Sequence, residues 1–269
     1  MNLMNSDWIA LNIGNSRLHW ALFSNNQIQE KWDTQHFDEK SAISIRDPAS
    51  DLTTNQISLI YQLIPGLKID SELWIASVVP KQSNYWQGVS NLHYICLNQI
   101  PLQQLHPTLG VDRALAVWGA IQTYGRPALV IDCGTALTFT GANERDELIG
   151  GAIVPGVRLQ FQALGQHTAA LPVIEQVATL PARWARETHS AIESGVLNTL
   201  LAGIRSFIKD WNQQFEKSTI VLTGGDAPLI YRLFEQTEPR IFEQIRLDLD
   251  LVFWGMRSIR NLLKTIQND

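Results

Sequence analysis

Cysteine is scarce: the 269 residues contain only Cys96 and Cys133, far apart and without the CxxC spacing of a zinc or redox site. That excludes a disulfide framework and fits a reducing compartment, with both side chains expected to be buried small hydrophobes. A basic excess is also missing. The chain has 21 Lys and Arg against 26 Asp and Glu, for a net charge of −5. The signs are mixed along its length, so nothing offers the concentrated basic patch that nucleic acid requires. No positively charged start leads into an apolar stretch, and no run reaches the roughly 18 uninterrupted apolar residues of a membrane helix. A soluble, cytoplasmic protein with no nucleic-acid and no membrane partner is therefore expected. The six histidines lack metal-ligand spacing. Neither GxxxxGK followed by Ser or Thr nor a strand-borne GxGxxG occurs, which excludes a P-loop kinase and disfavours a dinucleotide fold.

What is present is ample core material, 45% hydrophobic, enough for one large or two moderate domains. The nine tryptophans are scattered, as core and interface fillers would be. Trp8 to Phe23 reads as two apolar strands around a Gly-Asn-Ser turn, with a second turn at Asn25-Asn26. Residues 27–70 are polar and mixed, with a helical patch from Gln56 to Ile64 ended by Pro65-Gly66. Residues 73–79 form a strand closed by Pro80, and Tyr94 to Leu97 another. A composition shift at Gln103–Gly110 precedes a helical pattern that Gly125 terminates. This places a lobe boundary between residues 1–109 and 110–269. Residues 128–142 repeat the strand–turn–strand, and 147–156 continue its sheet. Helices around 157–166 and 189–212, a strand–glycine turn–helix at 219–234 and a closing helix from Leu251 to Ile266 complete an α/β alternation.

Placing Asn12 on Asp132 puts Gly14 on Gly134 at the same offset, so each half carries a polar glycine turn between apolar strands. The repetition implies two similar lobes facing each other across a cleft. Backbone N–H groups approach phosphates where glycine removes the Cβ, helped by hydroxyls; Gly14-Asn15-Ser16 and Gly134-Thr135 offer that combination. A single such turn is equally an ordinary hairpin, and the pairing favours phosphate binding. Asp132, ending its strand, is placed to hold a cation against those phosphates. Gly224-Gly225 follows an apolar strand and precedes a helix, either as a plain connection or as bare backbone under an adenine or ribose. Asp112, at a helix start, reads as an N-cap or as a base taking a proton from a substrate hydroxyl, with Arg113 on an anionic end of the substrate. Thr188 is a helix cap or a hydroxyl facing the cleft.

In order and with natural spacing, these segments resemble the type III pantothenate kinases. The resemblance runs through Asn12-Ile13-Gly14-Asn15-Ser16, Gly110-Val111-Asp112-Arg113, Asp132-Cys133-Gly134-Thr135-Ala136, Gly150 to Gly156, Thr188 with Ala191, Ile192 and Gly195, and Gly224-Gly225. It covers nearly the whole chain. It implies an α/β fold of two similar lobes of the actin, hexokinase and Hsp70-like (ribonuclease H-like) ATPase kind, with a central interlobe cleft. It also implies phosphorylation of the terminal hydroxyl of pantothenate by ATP, the first committed step of coenzyme A synthesis. Mg²⁺, a monovalent cation (K⁺ or NH₄⁺) and a homodimer are implied as well. By position, Asp112 matches the family's base, and Gly110, Val111, Asp112, Arg113 and Thr188 its pantothenate contacts. Asp132 matches the ligand of the monovalent cation. Asn12, Ile13, Gly14, Asn15, Ser16, Arg17, Leu18 and His19 match the first phosphate loop, and Thr135, Gly224 and Gly225 the further ATP contacts.

Three departures stand out. Asn12 replaces the family's aspartate; an amide oxygen ligates a hard cation without adding negative charge, so weaker Mg²⁺ affinity, or a metal held mainly by ATP and water, is expected. Ser16 replaces threonine and keeps the hydroxyl. Gln103-Gln104-Leu105-His106 stands where the family often has an aromatic residue lining the substrate pocket. Two rival functions remain at this stage: a kinase or phosphatase of the same fold acting on a sugar or acetate, and a nucleotide-binding regulatory homologue without turnover.

Overall fold

The apolar run Trp8–Ile13 is buried at every position because it is the central strand of its sheet, flanked on both sides. This strand, β1, pairs antiparallel with β2 (Leu18–Ser24), which pairs antiparallel with β3 (Gln27–Thr34). On its other side lie β4 (Glu72–Ser77) and β5 (Leu92–Tyr94), both parallel additions. The computed structural model describes residues 7–37, 71–86, 91–175, 177 and 179–268. The helical patch expected at Gln56–Ile64 lies outside them.

Asn25 and Asn26 both have positive φ, 50° and 61°, as a tight hairpin turn between β2 and β3 requires. Pro80 does not merely stop β4; it opens the short helix α1 (Pro80–Ser83) at its first position. Two expectations are corrected in this region. Residues 27–34 are a strand, β3, whose polar character suits a sheet edge half in solvent. The strand expected at Tyr94–Leu97 instead ends at Tyr94; Ile95 turns inward, and a 3₁₀ turn over Leu97–Gln99 follows, capped where the Gln99 side chain accepts the Cys96 N–H at 2.8 Å. Cys96 therefore faces solvent, and only Cys133 is buried.

The second sheet is built from β6 (Ala128–Cys133), β7 (Ala136–Ala142), β8 (Leu148–Pro155), β9 (Thr219–Thr223) and β10 (Ile245–Leu247). Its order, β8-β7-β6-β9-β10, matches β3-β2-β1-β4-β5 term for term: three antiparallel strands followed by two parallel ones. The repeat read from two glycine turns is thus a repeat of whole sheets. Helices α2 (Val111–Tyr124), α3 (Val157–His167), α4 (Thr188–Gln214), α5 (Ala227–Thr237), α6 (Pro239–Phe242) and α7 (Leu251–Asn268) complete the described fold. Gly125, with φ of 99°, caps α2 as its sequence position suggests.

The chain divides into two compact units. One comprises Met1–Ile100, Pro107–Leu115 and Val252–Asp269; the other Pro101–His106 and Ala116–Leu251. Ile9, Leu11, Ile13, Trp20, Ile75 and Trp86 centre the core of the first. There Trp8 stacks on Phe23 at 4.2 Å between ring centres, a contact worth about 0.5–1.5 kcal/mol beyond area burial. The same unit holds a charged cluster in which Glu72 accepts from Trp74 Nε1, buried Arg260 and Lys264. The core of the second packs β6, β7 and β9 against α4 and α5 through Ile131, Phe139, Leu197, Ile204, Leu222 and Phe234. Of the tryptophans, Trp184 departs from the expected role, standing 89% exposed. No helix among the described residues is long and apolar enough to cross a membrane.

Candidate functional site

In the first unit the β1–β2 hairpin pairs Asn12 with His19 and Ile13 with Leu18. Gly14 to Arg17 form the turn, closed where the Gly14 N–H donates to the Arg17 carbonyl at 3.1 Å. Asn15, Ser16 and Arg17 are exposed, whereas Asn12 is only 9% exposed and its Oδ1 has no hydrogen-bond partner among the described residues. Leaving a buried acceptor unsatisfied costs about 1–3 kcal/mol. An oxygen in that state suits a hard cation or the water a cation carries.

The turn is connected to the second motif of the same unit. Ile13 accepts the Val78 N–H at 3.1 Å, and the Val78 side chain lies 3.4 Å from where a Cβ on Gly110 would stand. Gly110 accepts the Ala114 N–H at 3.2 Å and so occupies the capping position of α2, whose first residue is Val111. Asp112 is thus not the N-cap. It sits two residues further in, its Oδ1 accepting the Arg113 N–H at 2.7 Å. Burial pushes the Asp112 carboxyl above the ordinary aspartate range, against the opposing pull of the Arg113 N–H and charge. A carboxylate with raised basicity is a better proton acceptor at neutral pH.

In the second unit, Asp132 lies opposite Thr138 on β7 and Thr223 on β9, so the β6–β7 turn and the Gly224-Gly225 turn start side by side. Gly224 has φ of +91°, and a Cβ there would overlap the Asp132 carboxylate and the Cys133 carbonyl. Gly156 must be glycine for a second reason: its Cβ would overlap the Gly134 and Thr135 carbonyl oxygens, and its N–H donates to Thr135 at 3.0 Å. The Asp226 N–H donates to the Cys133 carbonyl at 2.8 Å and locks the two turns together. Asp132, Gly134, Thr135, Gly224 and Gly225 are therefore brought into one cluster. A cavity of about 10 Å³ opens between Cys133, Gly156, Val157 and Asp226, with room for about one water.

Thr188 is the first residue of α4. Glu187 occupies the capping position without a side-chain cap bond, and Thr188 itself is exposed, so the capping reading of Thr188 does not hold. Its approach is held by the Ser194 hydroxyl donating to the Arg183 carbonyl at 2.9 Å.

Three nearby residues were missed in the sequence. Asp226 follows Gly224-Gly225 directly, and burial raises its carboxyl pKa against the attraction of Arg158; a carboxylate right after a Gly-Gly turn was the available signal. Asp33 accepts from His19 Nδ1 at 2.8 Å, and His36 Nε2 donates to the Gly14 carbonyl at 2.8 Å. Neither carries a local signal, because each reaches the turn through strand pairing or chain return.

A family model described as "Type III pantothenate kinase" matches residues 8–210. The chain belongs to the type III pantothenate kinase family. A type III pantothenate kinase from Nostoc sp. is 43% identical over 260 residues, with 94% of each chain covered. Among solved structures, a Baf family transcriptional activator from Campylobacter jejuni aligns with a TM-score of 0.61 at 18% identity, covering 96% of this chain and 99% of its own. A ROK family glucokinase from Streptomyces griseus, solved with glucose and AMPPNP, aligns at 0.53 and 11% identity, covering 96% and 99%. At such identities these likenesses speak to fold alone. This type III pantothenate kinase family member has the actin, hexokinase and Hsp70-like ATPase fold, with one five-stranded mixed sheet in each repeat.

Proposed function

We propose that this chain transfers the γ-phosphoryl group of ATP to the terminal hydroxyl of pantothenate, the first committed step of coenzyme A synthesis. The observation that carries the reading is the glycine turn repeated at the same place in two sheets of one topology, in a member of this kinase family. Gly14, Asn15 and Ser16 present N–H and hydroxyl groups to phosphate, within the loop from Asn12 to His19, and Gly134-Thr135 does the same in the second unit. Gly224-Gly225 offers bare backbone to the nucleoside. Asp112 accepts the hydroxyl proton as the oxygen attacks, Arg113 holds the carboxylate end of pantothenate, and Gly110, Val111 and Thr188 complete its contacts. Catalysis is then mostly positioning and charge neutralisation.

The residues present fit the two cations such a reaction uses. The unsatisfied amide oxygen of Asn12 would hold Mg²⁺ or its water, and the Asp132 carboxylate, given room by Gly224, would hold K⁺ or NH₄⁺. Bound there, they neutralise phosphate charge. The protein acts as a cytoplasmic homodimer in this reading.

The test is ATP-dependent phosphorylation of pantothenate by the purified protein with Mg²⁺, with K⁺ present or replaced by Na⁺. Turnover that requires K⁺ is expected, and Asp112→Asn lowers kcat about 10²–10⁴-fold while the fold is kept. A well-folded wild type that binds nucleotide without turnover, and gains it on Asn12→Asp, overturns the reading in favour of a regulatory homologue.

A further inference from the structure

The two registers of the first sheet line up three residues that the chain keeps apart. Asn12 on β1 lies opposite His19 on β2, and His19 lies opposite Asp33 on β3. Directly opposed residues of antiparallel strands share a face, so the three side chains form one row leading out from the first phosphate loop. At its inner end is the buried, unsatisfied Oδ1 of Asn12. In the middle, His19 has Nδ1 2.8 Å from Asp33 Oδ1. A carboxylate only accepts, so Nδ1 is the donor, and Nε2 is left pointing elsewhere. It points at the loop: Nε2 lies 3.5 Å from where a Cβ on Gly14 would stand.

Two further contacts frame the row. Exposed Arg17 places a guanidinium nitrogen 3.9 Å from the other oxygen of Asp33. His36 donates to the Gly14 carbonyl, tying the turn to the segment after β3. Stability is a poor explanation for the orientation of His19. Both side chains of the pair are more than a third exposed, at 40% and 45%, and exposed pairs of this kind contribute only about 0.2–1 kcal/mol. What the hydrogen bond does achieve is a ring held with one nitrogen toward a loop of backbone donors, beside an acceptor that lacks a donor of its own.

We propose that Asp33 is a positioning residue for phosphoryl transfer. It orients His19 so that, with both ring nitrogens carrying a proton, Nε2–H donates to an oxygen of the terminal phosphates of bound ATP, next to the position served by Asn12 Oδ1. Asp33 accepts at Nδ1 and the phosphate oxygen at Nε2, and no proton is transferred. The inference rests on the nucleotide-binding half of the function proposed above, and not on which hydroxyl accepts the phosphoryl group.

The experiment measures binding of a non-hydrolysable ATP analogue with Mg²⁺ by calorimetry, together with steady-state KM values for ATP and pantothenate and thermal melting of each variant. His19→Gln is expected to weaken analogue binding about tenfold, the loss of about 1.4 kcal/mol, and His19→Lys to recover most of it. Asp33→Asn is expected to weaken binding several-fold in the wild-type background but not in the His19→Lys background, because a lysine needs no ring orientation. Asp33→Glu restores part of the loss, and KM for pantothenate stays constant throughout. Wild-type affinity in both His19→Gln and Asp33→Asn overturns the proposal. So does an Asp33→Asn loss of equal size in both backgrounds, which marks a structural role, or a wild type that does not bind the analogue. A wild type that binds the analogue and shows this pattern, yet leaves pantothenate unphosphorylated, sinks the substrate assignment while the His19–Asp33 pair stands.

Discussion

Gly224 and Gly225 are neighbours in the same turn, and replacing each by alanine is expected to give opposite results. Gly224 sits at φ +91°, in the left-handed region, where a side chain costs about 1–2 kcal/mol. Its new methyl group would also overlap the Asp132 carboxylate and the Cys133 carbonyl, and overpacking of this kind adds about 1–3 kcal/mol. The expected destabilisation is the sum, about 2–5 kcal/mol. Gly225 has no atom within 4 Å of a would-be Cβ and no left-handed φ, so Gly225→Ala is expected to be neutral or to stabilise by about 0.4–1 kcal/mol through the unfolded chain. Urea unfolding of both variants reads this directly, as a lowered midpoint at unchanged slope for the first and a held or raised midpoint for the second. Because the Asp132 carboxylate is among the groups displaced at Gly224, that variant should also need more K⁺ for half-maximal turnover. Equal effects of the two substitutions, or a Gly224→Ala change within about 0.5 kcal/mol of wild type, would refute the claim that this glycine makes room for the carboxylate.

Three other outcomes are expected. Burial raises the Asp112 carboxyl pKa, and the base must be ionised to act, so activity should fall on acidification over a limb lying above the ordinary aspartate range; a pH–rate profile that stays flat down to about pH 4 contradicts the assignment. Gly156→Ala would press a methyl group on the Gly134 and Thr135 carbonyls, so KM for ATP should rise more than KM for pantothenate, and the reverse order in steady-state kinetics would show that the turn does not serve the nucleotide. Burial disfavours ionised Glu72, but Lys264, Trp74 and Arg260 outweigh it and lower its pKa. Its stabilisation is therefore full above the usual glutamate pKa and lost as pH falls through the lower folded value. Glu72→Ala should cost about 3 kcal/mol at neutral pH, since it takes the carboxylate from an Arg260 that is fully buried. Calorimetric melting at neutral pH and near pH 3 checks it, and an undiminished difference at low pH would exclude the charge as its source.

Much of this architecture is legible in the sequence, for physical reasons that differ by element. β1 and β6 are central strands, so their apolar runs announce them, and the Asn25-Asn26 turn after β2 needs the left-handed backbone that asparagine tolerates. Helix α2 was readable because Gly125 must adopt φ of 99° to close it. β3 was not, because an edge strand of Gln, Glu, Lys and Asp keeps its polar face in water and imitates a loop. Cys96 misled in the same way: its exposure follows from where β5 stops, which three residues of weak pattern do not specify.

The candidate site divides along the same line. Glycines at 156 and 224 are written into the chain because neighbouring atoms leave no room for a Cβ there, and together with Gly14 and Gly134 they mark the turns. His19 closes the loop that the resemblance marks, but Asp33, 14 positions on, is an ordinary surface residue in the sequence, and the two acquire a joint meaning only when β2 and β3 pair in one register. A shift by one residue would send Asp33 to the opposite face of the sheet and leave His19 without its acceptor. The register, set by the Asn25-Asn26 turn and the irregularity between Leu22 and Phe23, therefore carries information about the site that neither residue carries alone.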